Sequence, residues 1–303
     1  RTAMLQNPVI EKELKTRMRG WKAPAVVTAY LAFLVLVLYL YFLLSGQLQE
    51  DELIYFNPRI AVNSYYFLAS FLFGLLLFIV PILTCGAICG ERERQTLDLL
   101  LCTNFPTISI ITGKLVVSIA HILLLIIASL PIMSSIFLFG GIEIEDLLLL
   151  AFFYTITALM VGSLGIFYST VFRKTIVAII FTYITLGFLS VGTIVIMAVW
   201  AAVNQIRTAL EAWQVYLFLF SNPLFGFSSI VFGDDAYVSA IFRSITYRSL
   251  VFAFRWFKPW VANMVFDVIA AIVLVKVSAW RIKPIKASKR RDVVKSKKET
   301  REE

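Results

Sequence analysis

Apolar residues in this chain come in long blocks, not in the alternation of strands or the three-and-four spacing of surface helices. Six blocks reach the ~20 residues that a bilayer core requires, at 24–44, 65–87, 115–139, 147–172, 176–200 and 260–280. Each is expected to be helical, because hydrocarbon offers no partner to an unpaired backbone amide. Pro81 and Pro131 fall inside blocks, where each removes a ladder hydrogen bond and predicts a kink. The expected fold class is an all-α polytopic membrane protein.

Charge sets the orientation. Lys12, Lys15, Arg17, Arg19 and Lys22 precede the first block. Arg92, Arg94 and Lys114 lie around the gap after the second, Arg173 and Lys174 after the fourth, and the basic tail RIKPIKASKRRDVVKSKKETREE follows the sixth. The other side carries acids: Glu50, Asp51 and Glu52, then Glu143, Glu145 and Asp146. Basic gaps stay inside, so both termini are expected in the cytoplasm. The long gap 201–259 contains WQVYLFLFSNPLFGFSSIVF, long enough to suggest a seventh span. Spanning there would put the basic tail outside, and Asn222-Pro223 and Gly226 interrupt the run. A re-entrant segment dipping in from the outer face is expected instead, as irregular backbone is tolerated where protein buries it. Arg243, Arg248 and Arg255, set among aromatics, read as interfacial.

Two segments on the inner side have the grammar of amphipathic helices. In NPVIEKELKTRMRGWK, Asn7 can cap and Pro8 suits the first helical position. Ile10, Leu14, Met18 and Trp21 share one stripe, while Glu11–Lys15 and Glu13–Arg17 are spaced for pairing on the wet side. The second segment lies between the second and third blocks. The charged knot Glu91-Arg92-Glu93-Arg94 precedes Leu97, Leu100 and Leu101, which share a face with Phe105, and Pro106 ends the helix. Such a helix, fixed to a span at each end, can transmit a push. The expected organisation is an amphipathic helix over 1–23, a six-span domain over 24–280 and a basic tail over 281–303.

Composition narrows the function. With 60% hydrophobic and 16% charged residues, the chain is solvated by lipid, so its net charge of +9 reflects topology rather than nucleic-acid binding. Cys85, Cys89 and Cys102 fall near the inner side, where thiols stay reduced. His121, the single histidine, begins a different span, so no metal site is expected. The first apolar block is too long for a cleavable signal peptide and lacks a small-residue cleavage site.

Three stretches, NPVIEKELKTRMRG, ERERQTLDLLLCTNFPTISIITGK and SNPLFGF, resemble the permease subunits of ATP-binding-cassette exporters of the type-two permease class. In that family the first is the elbow helix and the second the coupling helix, which seats in a groove of the ATPase. The resemblance therefore implies that Glu91, Glu93, Thr96, Leu97, Asp98, Leu100 and Leu101 form an ATPase contact. It likewise implies that Ile10, Glu13, Leu14, Arg17, Met18 and Trp21 form the elbow. This chain carries Gln95 where the family usually has Gly, and Asp98 where Glu is usual. The implied partners are ABC ATPase subunits in two copies, a second permease copy or homologue, and membrane lipid. ATP and Mg would be bound by the ATPase and no cofactor by this chain, and the implied setting is a bacterial inner membrane.

The residues themselves bear on rival functions. The sequence holds no G-x-x-x-x-G-K-[ST] phosphate loop; ITGKL has Ile108 where the first glycine belongs and Leu115 after the lysine. A membrane-embedded enzyme would need a nucleophile with a base, yet Ser163 has no histidine in its own motif. Asp234-Asp235 is a single pair. A channel or passive assembly component would need no ATPase, but no repeated pore ring is evident. Asp267 lies about 10 Å inside the outer end of the sixth span and is expected either to line a pathway or to pair with Arg255, Lys258 or a hairpin arginine. Ala158, Gly162, Gly165 and Ser169 recur at helical spacing and predict a smooth face for close packing.

Overall fold

The computed structural model describes residues 22–44, 58–97, 107–137, 144–203, 219–232 and 258–282. They form α1 (Lys22–Leu44), α2 (Pro58–Glu93), α3 (Thr107–Phe137), α4 (Ile144–Val171), α5 (Thr175–Gly187), α6 (Thr193–Val203), α7 (Pro223–Val231) and α8 (Pro259–Ile282). A π turn, Phe188–Gly192, joins α5 to α6 without a break, so the two make one span. Six helical segments are thus long and apolar enough to cross a membrane, and no strand occurs among the described residues.

The facing ends of two spans, α2 and α3, differ from expectation. α2 continues past residue 87 to Glu93, and α3 begins at Thr107, not near 115. The charges at 91–93 therefore sit on the last turn of a helix instead of in a loop. Extension is favourable because each of those side chains reaches a partner beyond its own helix. Pro81 and Pro131 both lie inside continuous helices.

α4 is the hub. Of its most apolar stretch 56% is buried, against 6% for α1, which leaves α1 to face the surroundings. Lipid tails are as apolar as leucine, so close packing and hydrogen bonding must hold the helices together. Both are visible where α4 meets α2. Ala158, Gly162, Gly165 and Ser169 are all buried, so the small-residue face packs within the chain. A Cβ on Gly165 would fall 2.1 Å from Thr84 Oγ1, and one on Gly162 would fall 3.3 Å from Thr84 Cγ2. That closeness lets Ser169 Oγ reach the backbone of α2, donating to Cys85 O (2.6 Å) and accepting from Cys89 N (2.8 Å). Towards the other end of the α2–α4 contact Tyr154 donates to Ala69 O at 2.7 Å.

Part of the 201–259 region is described. α7 is short and buried, with Phe227 stacked on Phe73 of α2 at a 4.5 Å ring separation. Asn222 caps it, accepting from Leu224 N at 2.8 Å, and Pro223 follows at the first position. The Asn222 amide donates in turn to Ser190 O (2.7 Å) and Thr193 Oγ1 (2.9 Å) at the π turn, where a widened turn leaves carbonyls to be satisfied. Gly226 is required by proximity, since a Cβ there would lie 2.6 Å from Asn263 Oδ1. The elbow residues Ile10, Glu13, Leu14, Arg17, Met18 and Trp21 lie outside the described residues, as do 204–218, 233–257 and 283–303.

Candidate functional site

The charged knot at the C-terminal end of α2 sends three successive side chains to α3, to the residue after α4 and to the start of α5. Glu91 pairs with Lys114 of α3 at 3.0 Å; the lysine side chain is 5% exposed and the glutamate 30%. Arg92 donates from Nη1 to Phe172 O, just past the end of α4, at 2.8 Å. Glu93 accepts from Thr175 N, the first residue of α5, at 2.7 Å. A cation thus meets the carbonyl end of one helix and an anion the amide end of the next, the favourable sense for both dipoles.

The chain then turns sharply. Gln95 has φ 59°, in the left-handed region, and its N–H donates to Arg92 O at 3.1 Å. Thr96 N donates to Glu91 O at 2.9 Å. These two bonds are the 5→2 and 6→1 pair of a Schellman cap, whose left-handed position is by default glycine. The departure from glycine at 95 thus falls where the backbone most favours one. The Thr96 hydroxyl also donates to the Glu91 carboxylate, which closes the turn over the ion pair.

Leu97 is half-buried and packs against a cluster of Ala87, Ile88, Ile111, Leu115, Ile166 and Ala279. Thr96 and Glu93 are exposed. Asp98, Leu100 and Leu101 lie outside the described residues. Of the seven residues expected at an ATPase contact, Glu91 and Glu93 direct their carboxylates to the chain's own helices.

Lys114 and Arg92 were not among the expected site residues. A signal existed for Lys114: it stands between apolar residues inside a helix, and a buried ammonium demands a carboxylate. Nothing local in the sequence could assign Arg92 to Phe172, since its partner is a backbone carbonyl 80 positions away.

Asp267 is fully buried in α8 and accepts from Thr157 Oγ1 of α4 at 3.4 Å. Its other oxygen has no partner among the described residues. Lys258, one expected partner, is exposed at the start of α8, and Arg255 lies outside the described residues. Ser163 spends its hydroxyl on Met160 O at 2.7 Å, within its own helix. Cys85 and Cys89 are buried; Cys85 Sγ lies 3.3 Å from Thr182 Oγ1, and Cys89 Sγ donates to Ser169 O at 3.2 Å. Among the described residues no group of three or more His, Cys, Asp or Glu side chains could hold a metal ion.

Compared with known protein families, residues 7–281 match the family described as ABC-2 family transporter protein. No curated protein matches the chain.

Proposed function

We propose, for a chain that belongs to the ABC-2 transporter family, that it is the transmembrane permease subunit of an ATP-driven exporter. It forms half of a translocation pathway and is driven by an ATPase outside these 303 residues. The absence of a phosphate loop from the sequence supports that division of labour: ATP and Mg belong to the ATPase, and this chain is not catalytic on its own. Two ATPase copies and a second permease, identical or homologous, complete the assembly. Lipid surrounds it in the inner membrane, with both termini in the cytoplasm.

One observation carries the reading: the root of the loop after α2 is welded to α3, to the end of α4 and to the start of α5. A loop that only connected two spans would need none of those ties. In this reading Glu91 and Glu93 hold the root, while Thr96, Leu97, Asp98, Leu100 and Leu101 present the coupling surface. Asp267 serves as a packing contact between α8 and α4, because it is fully buried against Thr157.

The test is co-purification. Leu101→Asp places a charge on the apolar face of the coupling segment and is expected to abolish recovery of the ATPase with the permease. Leu97→Asp is expected to do the same while also lowering stability, since Leu97 packs on the bundle. Undiminished binding and transport in both variants would remove the assignment.

A further inference from the structure

The α4–α5 turn, braced locally by the stack of Phe172 on Phe181, lacks a side-chain cap of its own. Its last residue, Lys174, is the cap of α5 yet makes no side-chain cap hydrogen bond. The first N–H of α5 is instead satisfied by Glu93, 82 positions earlier in the chain. The carbonyl of Phe172, on the other side of the turn, is taken by Arg92 and also accepts from Cys89 Sγ at 3.3 Å. One turn of α2 therefore does for two other helix ends what capping residues do locally.

The same seam continues upward. Cys85 Sγ meets Thr182 Oγ1 at 3.3 Å, and Tyr183 donates to Phe78 O at 2.5 Å, so α5 is bound to α2 along its length. Beyond the π turn the support thins: α6 packs far less on α2 than α5 does, and Val195, Val199 and Val203 of α6 are exposed.

We propose that Arg92 and Glu93 are positioning residues that tie the α4–α5 turn to the root of the 95–105 loop, so that displacement of the loop is delivered to the fifth span as far as its π turn. The source of the force rests on the exporter reading; the tie itself does not. The geometry fixes what each residue contributes. Glu93 acts as a hydrogen-bond acceptor for Thr175 N–H, and Arg92 as a donor to Phe172 O. Neither role requires contact with another protein.

Acceptor chemistry gives the discriminating pair of variants. Glu93→Gln keeps an oxygen that can accept from Thr175, whereas Glu93→Ala has none. In lipid nanodiscs with the ATPase bound, amide hydrogen exchange at Thr175 is expected to rise about tenfold in Glu93→Ala and to return close to the parent rate in Glu93→Gln. Transport per ATP hydrolysed should fall in the alanine variant, with the ATPase still bound, and recover in the glutamine variant. Arg92→Met and Arg92→Lys form a second pair should Glu93→Ala fold poorly, lysine keeping a donor for Phe172 O. A glutamine variant as defective as alanine would overturn the proposal, since the negative charge and not the hydrogen bond would then matter. So would unchanged exchange in both Glu93→Ala and Arg92→Met. If the parent chain recruits no ATPase, the exporter reading fails, and the exchange rates alone decide whether the tie exists.

Discussion

Glu91 on the last turn of α2 and Lys114 inside α3 form an ion pair at 3.0 Å, closing the base of the loop that the two helices share. The pair is asymmetric, because the lysine is buried and the glutamate is nearly a third exposed. Removing the carboxylate takes an ion-pair partner from a buried ammonium, whereas replacing the lysine by an apolar chain of similar length leaves a glutamate that water can reach. Glu91→Ala is therefore expected to cost roughly 1–3 kcal/mol and Lys114→Met less than half of that. Thermal unfolding in detergent measures both, and equal losses would contradict the asymmetry.

Gln95 holds a left-handed backbone, φ 59°, that costs an ordinary residue about 1–2 kcal/mol. Gln95→Gly removes that strain while adding some unfolded-state entropy, so a net gain of about 0.5–1 kcal/mol is expected. Gln95→Val should lower stability, because a β-branched side chain tolerates this region worst. The two melting temperatures should move in opposite directions from the parent.

Gly165 faces Thr84 across the α2–α4 contact, with no space for a methyl group. Gly165→Ala is expected to destabilise by roughly 1–3 kcal/mol, and Gly162→Ala by less, since its nearest neighbour is a methyl at 3.3 Å. Adding Thr84→Ala to Gly165→Ala should recover part of the loss. A double-mutant cycle with a coupling of about 1 kcal/mol or more would establish the contact, and strict additivity would deny it.

Asn222 combines two functions that a single substitution can separate. Asn222→Asp keeps the acceptor that caps α7 but loses the amide that donates to Ser190 O and Thr193 Oγ1. Asn222→Ala loses both. The missing cap costs alanine about 0.5–2 kcal/mol. Asn222 is fully buried, however, and an aspartate oxygen would face Ser190 O, so aspartate should destabilise at least as much as alanine. If aspartate matches the parent, the amide bonds to the π turn contribute nothing.

How far the sequence revealed this arrangement depends on what its residues see locally. The six spans were legible because block length alone answers to bilayer thickness, and no soluble helix needs such runs. The facing ends of α2 and α3 were not. A charge such as Glu93 reads as the end of a span until its partner, the first amide of α5, is known, and that partner is remote in sequence. The small face of Ala158, Gly162, Gly165 and Ser169 was legible as a packing strip by its spacing, but its neighbour Thr84 was not. The motif around Asn222 marked an interruption, and the π turn it satisfies carries no sequence mark of its own. For the segment 95–105 the sequence still says most, as Asp98, Leu100 and Leu101 lie outside the described residues.

If this chain is an exporter permease, the segment following Gln95 faces the cytoplasm and touches a nucleotide-hydrolysing partner. The most direct measurement of that contact is site-specific photo-crosslinking from position 101 in intact cells. An adduct between this chain and an ATPase is expected, lost when nothing but the photoreactive group is moved to Glu145. Adducts confined to lipid or to the chain itself, or labelling of position 101 by a reagent that cannot cross the membrane, would contradict the exporter reading.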